Sequence, residues 1–202
     1  VTLIAMTYDR DQVYAGREGE LGAEQIKRSA VADWMTWAAS GLNGMWGDYL
    51  AAQGNGLAVD MAFYQQGRPL KLECSALRTA HAAPTPKLCV LVHGLGCNEL
   101  LWQFAPPAQE AQAEQAVDYG RLLQAELGYT PFYVRYNTGL AVAANGRSLG
   151  RLLEALVTCY PVPVEEILLI AHSMGGLVVR SACHYAMQHN EAWVSAVKHI
   201  FY

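Results

Sequence analysis

The residues best suited to chemistry lie at a turn between a predicted strand and a predicted helix. The apolar run at residues 165–171 is typical of a strand buried on both faces, and residues 177–188 have the pattern of a helix. Ser173 lies at the sharp turn that must join them, and such a turn strains the serine backbone. This geometry lifts the serine hydroxyl clear of the sheet, at a helix N-terminus, where a nucleophile would lie.

The neighbours of Ser173 have the sizes that this turn requires. Side chains two positions before and after the serine collide unless they are small, and they are Ala171 and Gly175. The common pattern has glycine at both positions, so Ala171 is a mild departure. Gly176 allows the helix to pack closely on the sheet, and the N–H of Met174 points at an oxyanion formed on an attacked carbonyl. We therefore interpret Ser173 as a nucleophile rather than as a serine that only caps a helix.

A glycine-rich turn after an earlier buried strand, at residues 88–93, predicts a second part of the same site. The turn consists of His93, Gly94, Leu95 and Gly96. An acyl-transfer site needs an N–H donor from this loop, and Leu95 is the candidate. The alternative is a plain turn in which His93 only bonds to the backbone. The position of Ser173 one β-α-β-α-β unit later favours the functional interpretation.

Together with residues 135–139, Arg-Tyr-Asn-Thr-Gly, these motifs resemble the α/β-hydrolases of lipase and esterase type, most closely bacterial lipase-like proteins related to GPI inositol-deacylases. The resemblance covers about residues 58–202, and more loosely residues 43–50. It implies a Ser-His-acid triad, no metal or other cofactor, and hydrolysis of carboxylic esters through an acyl-enzyme. It implies Ser173 as nucleophile and the N–H groups of Leu95 and Met174 as the oxyanion hole. The supporting positions of the motifs are His93, Gly94, Gly96, His172, Gly175 and Gly176.

The triad acid and histidine follow the serine along the chain in this fold. The sequence after Ser173 offers no Asp and only Glu191, His184, His189 and His199. Two of these histidines lie on the next predicted helix or at its end, and His199 opens a strand at the far end of the sheet. His172, beside the serine, points to another face. We therefore expect the acid and the base to lie beyond Tyr202, in a longer hydrolase of which this chain is a C-terminally truncated, nearly inactive part.

The pattern of strands and helices predicts an α/β fold, with a mostly parallel sheet, flanking helices and an incomplete C-terminal side. We divide the chain into a helical N-terminal segment or cap at residues 1–57 and a hydrolase-like core at residues 58–202. An antiparallel hairpin would form the sheet edge. The predicted strands are residues 58–64, 70–77, 88–93, 131–136, 165–171 and the start of one at 199–202, and the predicted helices are residues 20–50, 108–127, 148–160 and 177–188.

The N-terminal helical region carries an apolar stripe with two interpretations. The stripe consists of Val31, Trp34, Ala38, Leu42, Met45 and Tyr49. Spacings of three and four predict a helical hairpin that covers a core. The alternative is an aromatic-rich cap that contacts apolar substrate or an interface.

Composition narrows the function classes. The 202 residues are 52% hydrophobic and 16% charged, which excludes disorder as the main state, and the net charge of −4 gives no general attraction to nucleic acid or anionic lipid. We identify no transmembrane run and no secretory signal, and so expect a cytoplasmic protein. Five cysteines without a Cys-x-x-Cys pair predict reduced, mostly buried thiols rather than a disulfide framework or a zinc site.

A serine ester hydrolase acting on small-molecule or lipid acyl esters is therefore the leading hypothesis. The same turn at Ser173 also serves acyl transfer, thioester cleavage and amide cleavage, and the fold alone does not separate these reactions. A third alternative is a catalytically dead hydrolase-like domain that binds a partner or ligand.

Overall fold

The computed structural model describes residues 23–56, 58–80, 83–104 and 117–202. Helices and strands alternate along most of this part of the chain, and two short 3-10 helices cover Glu99–Trp102 and Ala192–Ala196. The elements in chain order are α1 (Ala23–Ala52), β1 (Ala62–Gln65), β2 (Arg68–Pro69), α2 (Cys74–Ala80), β3 (Lys87–Val92), β4 (Gln103–Phe104), β5 (Val117–Asp118), α3 (Tyr119–Leu127), β6 (Thr130–Arg135), α4 (Val142–Cys159), β7 (Glu166–Ala171), α5 (Met174–His189) and β8 (Val197–Phe201).

Six strands form one sheet in the order β2-β1-β6-β3-β7-β8. Strands β6, β3, β7 and β8 are parallel to one another, and β1 and β2 add an antiparallel edge. The prediction of an α/β fold with a mostly parallel sheet is therefore confirmed. Val92 pairs with Ala171, so β3 and β7 end side by side and the residues that follow them are neighbours.

Both faces of the central strands are covered, which explains why their sequences are continuously apolar. Leu88, Val90 and Val92 of β3 pack with the buried apolar faces of α4 and α5. The alternate residues, Cys89 and Leu91, pack on the other face with Trp102 and the partly buried side chains of α3. A strand buried on both faces has no polar face to alternate with, as is usual for parallel sheets under helices.

Several predicted boundaries are wrong. The strand predicted at residues 70–77 is not present. The second half of this segment belongs to helix α2, and Leu77 is fully buried as part of that helix rather than at a sheet edge. The helix predicted at 148–160 begins earlier, at Val142, where Asn145 donates to the carbonyl of Asn137. Of the helix predicted at residues 108–127, Tyr119–Leu127 is helical and Val117–Asp118 is a strand, and residues 108–116 lie outside the described residues. The helix ends as predicted at Gly128, at a φ of +73°.

The described part of the N-terminal region is helical from Ala23 to Ala52. Helix α1 consists of two helical segments that meet at a kink at Trp46, whose φ of −132° and ψ of 19° are not helical. The interpretation of this region as a helical hairpin stays a prediction. The predicted apolar stripe of α1 faces solvent, because Trp34 and Met45 are more than half exposed. The buried face of α1 carries Ser40, Asn43 and Gly47 instead. The division of the chain at residue 57 stays a prediction.

Candidate active site

Ser173 lies between the end of β7 and the start of α5, in a backbone conformation that a non-glycine residue seldom adopts. Its φ is +53° and its ψ is −123°, and its side chain is exposed. Two backbone hydrogen bonds close the turn. The N–H of Gly175 donates to the carbonyl oxygen of His172 at 2.9 Å, and the N–H of Gly176 donates to the carbonyl oxygen of Ser173 at 2.9 Å. The hydroxyl makes no capping hydrogen bond to the helix. Because a capping serine uses its hydroxyl in that way, the capping interpretation loses its support.

The glycines after Ser173 are required by the crossing of α5 over the sheet. A Cβ at Gly175 would lie 2.5 Å from the carbonyl oxygen of Val92 and 2.6 Å from that of His93. One at Gly176 would lie 2.7 Å from the ring of Tyr202. No larger residue fits at Gly175 without moving backbone, so the helix start and the end of β3 fix each other's position.

The loop after β3 touches the serine turn directly. The N–H of His172 donates to the carbonyl of Val92 at 3.0 Å, which continues the pairing of β3 and β7 by one residue. A Cβ at Gly94 would lie 2.9 Å from Nδ1 of His172 and 3.1 Å from Cβ of Ser173. The structure therefore brings together the two segments that the sequence analysis selected, and glycine at position 94 allows their contact.

His93 is fully buried behind this loop and is not exposed to a substrate. Its ring stacks on Tyr136 with a centroid distance of 4.5 Å, and the Tyr136 hydroxyl donates to the His93 carbonyl at 2.8 Å. The pKa of His93 is lowered to about 4, mainly by burial; the hydrogen bond to Gly94 opposes this shift, and the charges of Arg135 and His172 add to it. His93 is therefore neutral at pH 7.

The neutral His93 sets the orientation of the next peptide group. Its Nδ1 lies 3.0 Å from the carbonyl oxygen of Gly94, which only accepts, so Nδ1 carries the proton. The Cys97 N–H donates to the same oxygen at 3.2 Å. In a trans peptide the carbonyl and the following N–H point in opposite directions. With the Gly94 oxygen held on the inner side of the turn, the N–H of Leu95 points away from it.

The two N–H groups proposed as oxyanion donors have no hydrogen-bond partner among the described residues. The N–H of Gly96 donates to Oγ1 of Thr138 at 3.0 Å, whereas the N–H groups of Leu95 and Met174 donate to no other described residue. Met174 is the first residue of α5, so its N–H is one of those that a helix leaves unpaired. Leu95 itself is exposed. Both N–H groups are thus available to a negatively charged oxygen.

Asn98 and Glu99, which no sequence pattern identified, connect this loop to its surroundings. Glu99 is buried and forms an ion pair with Arg135, whose Nε lies 2.6 Å from Oε2 of Glu99. Asn98 accepts from the N–H of Leu100 at 2.9 Å and donates to Oγ of Ser40 at 3.2 Å. The sequence signal that could have identified these residues was their position. They lie in the loop that follows the buried parallel strand β3, at the sheet edge where ligands usually bind.

Helix α1 lies against the loops that follow β3 and β6. A Cβ at Gly44 would lie 3.1 Å from Cα of Gly96, and one at Gly47 would lie 1.8 Å from Oδ1 of Asn137. The Asn137 amide donates to the carbonyl of Gly47 at 2.8 Å. The N–H of Gly139 donates to Oδ1 of Asn137 at 3.0 Å, which orients that side chain. The small and polar face of α1 is therefore part of the structure that positions the candidate site.

No hydrogen bond joins Ser173 to a histidine in the described part of the chain. His184 is exposed on α5, and Nδ1 of His189 lies 2.8 Å from the carbonyl of Tyr185. Nε2 of His199 lies 3.8 Å from Glu166, the first residue of β7, at the end of the strand away from Ser173. The carboxylate of Glu191 accepts from Nε1 of Trp193 at 2.6 Å. The side chains of His189, His199 and Glu191 therefore have contacts away from Ser173. No group of three or more His, Cys, Asp or Glu side chains in the described segments is arranged to hold a metal ion.

Comparison with protein families places this site in the matched region. A family model described as "Putative serine esterase (DUF676)" matches residues 83–202, which contain the loop after β3 and the turn at Ser173. The comparisons with curated proteins and with solved structures gave no match.

Proposed function

The chain belongs to the family described as "Putative serine esterase (DUF676)", and we propose on this premise that Ser173 is the nucleophile of an ester hydrolase of the lipase and esterase type. The observation that carries the proposal is the exposed Ser173 hydroxyl on a strained backbone, with no bond to the helix that it precedes. Strain of this kind costs about 1–3 kcal/mol and persists where the surroundings hold it, most often at functional sites. The family supports the reaction class, and the geometry of the turn supports Ser173 as the residue.

The proposed reaction is acyl transfer through the serine oxygen. Oγ of Ser173 loses its proton to a base and attacks the ester carbonyl carbon, and the carbonyl electron pair moves to the oxygen. The N–H groups of Leu95 and Met174 would donate to this oxyanion, and each such donor contributes about 3 kcal/mol in comparable sites. The C–O bond to the alcohol then breaks, the alcohol leaves with a proton, and water releases the acid by the same steps.

His93 acts in this proposal as a positioning residue rather than as the base. Its ring is fully buried and holds the Gly94 carbonyl, which leaves the Leu95 N–H pointing out of the turn. Gly94, Gly96, Gly175 and Gly176 have supporting roles, since they allow loop, turn and helix to approach. His172 contacts the loop at Gly94 and is assigned no proton transfer.

A serine hydroxyl needs a general base to react at neutral pH. That the triad histidine and acid follow Tyr202 in a longer polypeptide stays a prediction. So do the closer relation to GPI inositol-deacylase-like proteins and the cytoplasmic location.

The test is active-site labelling of the natural polypeptide that carries residues 1–202, using a fluorophosphonate probe and tryptic mapping. Ser173 is the only serine in the tryptic peptide of residues 152–180, so a labelled peptide identifies it. We expect labelling and hydrolysis of p-nitrophenyl butyrate in the wild type and in the control Ser195→Ala, an exposed serine on the 3-10 helix after α5. Both should be lost in Ser173→Ala.

Other outcomes separate the alternatives. Labelling at Ser173 with turnover only of a thioester or an amide, or only with an acyl acceptor other than water, would assign a different reaction to the same serine. A folded protein without labelling at residues 152–180 would contradict the proposal and favour a binding domain.

We propose in addition that the substrate is an apolar acyl ester met at a lipid surface, and that α1 supplies the contact. Its exposed side chains Trp34, Met35, Leu42 and Met45 lie within about a third of the helix circumference. The opposite face of α1 packs on the site loops at Gly96. Aromatic and aliphatic side chains on one face suit a helix that lies in a membrane interface. No helix in the described residues is long and apolar enough to cross a membrane.

A further inference from the structure

Thr138, in the loop after β6, bonds directly to the loop after β3. Its side chain is buried, and its Oγ1 accepts the N–H of Gly96 at 3.0 Å. Gly96 is the residue next to Leu95, whose N–H is a proposed donor to the oxyanion. The motif at residues 135–139 has no step in the proposed reaction, and this hydrogen bond connects it to the candidate site.

The direction of the Leu95 N–H depends on the two peptide groups that flank Leu95. The first group contains this N–H and the carbonyl of Gly94, whose oxygen lies 3.0 Å from Nδ1 of His93. The second group contains the N–H of Gly96, which donates to Thr138. Because peptide groups are planar and rotate only about their bonds to Cα, fixing both groups fixes the backbone at Leu95. His93 thus holds one side of the donor and Thr138 holds the other.

The backbone around Thr138 is itself held by hydrogen bonds. The carbonyl of Asn137 accepts from Nδ2 of Asn145 at 2.9 Å, and the side-chain oxygen of Asn137 accepts from the N–H of Gly139 at 3.0 Å. Threonine is β-branched, so its side chain has few rotamers available. The acceptor oxygen therefore has a defined position before any substrate binds.

Helix α1 covers the hydrogen bond between Thr138 and Gly96. A Cβ at Gly44 would lie 3.1 Å from Cα of Gly96 and 3.4 Å from Oγ1 of Thr138. A helix this close leaves no room for a water molecule on that side of the bond. The Gly96 N–H therefore depends on Thr138 for its partner, since solvent does not replace a lost acceptor there.

We infer that Thr138 is a positioning residue for the proposed reaction, a role that rests on Ser173 as the nucleophile and on Leu95 as a donor to the oxyanion. In this role Thr138 bonds to no reacting atom. Its Oγ1 holds the peptide group after Leu95, so that the Leu95 N–H keeps its direction while charge develops on the carbonyl oxygen. Without the acceptor this peptide group rotates, the donor leaves its position, and the chemical step slows while substrate binding is kept.

The experiment measures kcat and KM for p-nitrophenyl butyrate in the natural polypeptide that carries residues 1–202. Thr138→Val keeps the shape of the side chain but removes the acceptor. We expect this variant to lower kcat by about tenfold to a hundredfold and to change KM by less than about twofold. Thr138→Ser keeps a hydroxyl and should recover most of the wild-type kcat. Thr138→Ala, which also lacks the acceptor, takes the place of the valine variant if that one does not fold.

A trifluoromethyl ketone with a butyl chain gives a second readout, because the serine adds to its carbonyl and forms a stable oxyanion. Its inhibition constant should rise in Thr138→Val by about the factor by which kcat/KM falls, as for a transition-state analogue. A change in stability alone leaves the inhibition constant of the folded protein unaltered.

Thr130→Val is the matched control. Thr130 is as buried as Thr138, and its Oγ1 accepts from the hydroxyl of Tyr160 at 3.0 Å. It is the first residue of β6, at the end of the strand away from the candidate site. This variant should lose stability in urea unfolding, as Thr138→Val does, but keep the wild-type kcat and inhibition constant.

The remaining outcomes decide against this role of Thr138. Wild-type kcat and inhibition constant in Thr138→Val, in a protein whose Ser173 is labelled by the fluorophosphonate, would overturn it and leave the proposed nucleophile standing. Losses of kcat as large in Thr138→Ser or in Thr130→Val would also overturn it, since the hydroxyl beside Gly96 would not be their cause. A wild type that shows neither labelling at Ser173 nor turnover would overturn the proposed function and this role together.

Discussion

The backbone at Ser173 is held in its unusual conformation by contacts of its neighbours rather than by its own side chain. The N–H groups of Gly175 and Gly176 close the turn, and the helix start lies directly on the carbonyl oxygens of Val92 and His93. The strain at one residue is thus balanced by two backbone segments in close contact. A methyl group at the contact would separate them.

Gly175→Ala tests this contact. A Cβ there meets two backbone oxygens at 2.5 and 2.6 Å, which cannot rotate away, so we expect a loss of about 1–3 kcal/mol in the free energy of unfolding. In the natural polypeptide we expect a larger loss of kcat than of substrate affinity, because Ser173 and the Leu95 donor are displaced together. Gly56→Ala is the control, since nothing lies within 4 Å of a Cβ at Gly56. Equal stability of the two variants in urea unfolding would contradict the prediction.

The buried imidazole of His93 predicts a loss of stability in mild acid. Its pKa in the folded protein is about 4, whereas its ordinary value is 6.5. Between these values the unfolded chain binds a proton that the folded protein does not, so the free energy of unfolding falls as the pH falls from about 6.5 to about 4. The loss from this group is on the order of 3 kcal/mol when complete.

The measurement is urea unfolding at several pH values for the wild type, His93→Asn and His199→Gln. His93→Asn removes the titrating group and should flatten the pH dependence in this window. His199→Gln is the control, because it leaves His93 and its surroundings unchanged and should keep the part of the pH dependence that His93 contributes. A wild-type slope in the His93 variant would show that another group is responsible.

At the scale of the helix, α1 shows why a hydrophobic pattern alone does not give the packed face. Its spacing of Trp34, Leu42 and Met45 predicts that these residues are buried, yet they are exposed, and Asn43 and Gly47 are buried instead. The loops that α1 meets are polar and present backbone, so close approach and hydrogen bonds decide the contact. A single sequence carries the pattern of the helix but not the identity of the surface it packs on.

The contact of α1 with the loop after β6 is tested by two glycines of the same helix. Gly47→Ala places a Cβ 1.8 Å from the side-chain oxygen of Asn137. The Asn137 amide is buried and donates a hydrogen bond to the carbonyl of Gly47, so it has little room to move. We therefore expect a loss of about 1–3 kcal/mol in the free energy of unfolding. Gly41 has nothing within 4 Å, so Gly41→Ala should be neutral or stabilise by up to about 1 kcal/mol through helix propensity. Thermal or urea unfolding measures both. A neutral Gly47→Ala would mean that α1 is not held at this point.

The parts of the fold that local pattern controls were predictable, and those that distant contacts control were not. The strand before Ser173 and the helix after it follow from residue type and spacing, as does the proximity of the His93 loop, because parallel strands end at one edge. The strand prediction at residues 70–77 was wrong because Leu77 is buried by the packing of helix α2 on the core. A short alternation of apolar residues does not distinguish such a helix from a strand. The Glu99–Arg135 ion pair depends on sheet order and leaves no local signature.

Across the whole molecule, helix α1 and the candidate site lie at the same end of the parallel strands, because the helix packs on the two loops that follow β3 and β6. The protein has a net charge of −4, so anionic lipid offers no attraction. Apolar contact is then the remaining source of affinity for a surface. We therefore expect binding to zwitterionic phosphatidylcholine vesicles that does not weaken with salt and does not strengthen with phosphatidylglycerol.

The variant Trp34→Ser/Met45→Ser removes two large exposed side chains from α1 and should lower the vesicle partition coefficient in co-sedimentation by at least about tenfold. Its free energy of unfolding should change by less than about 1 kcal/mol, since neither side chain is buried. Met187→Ser is the matched control, because Met187 is equally exposed on α5 and has no part in the α1 face. Equal loss of binding in the control would place the lipid contact elsewhere, and full binding by the double variant would rule out α1 as the contacting surface.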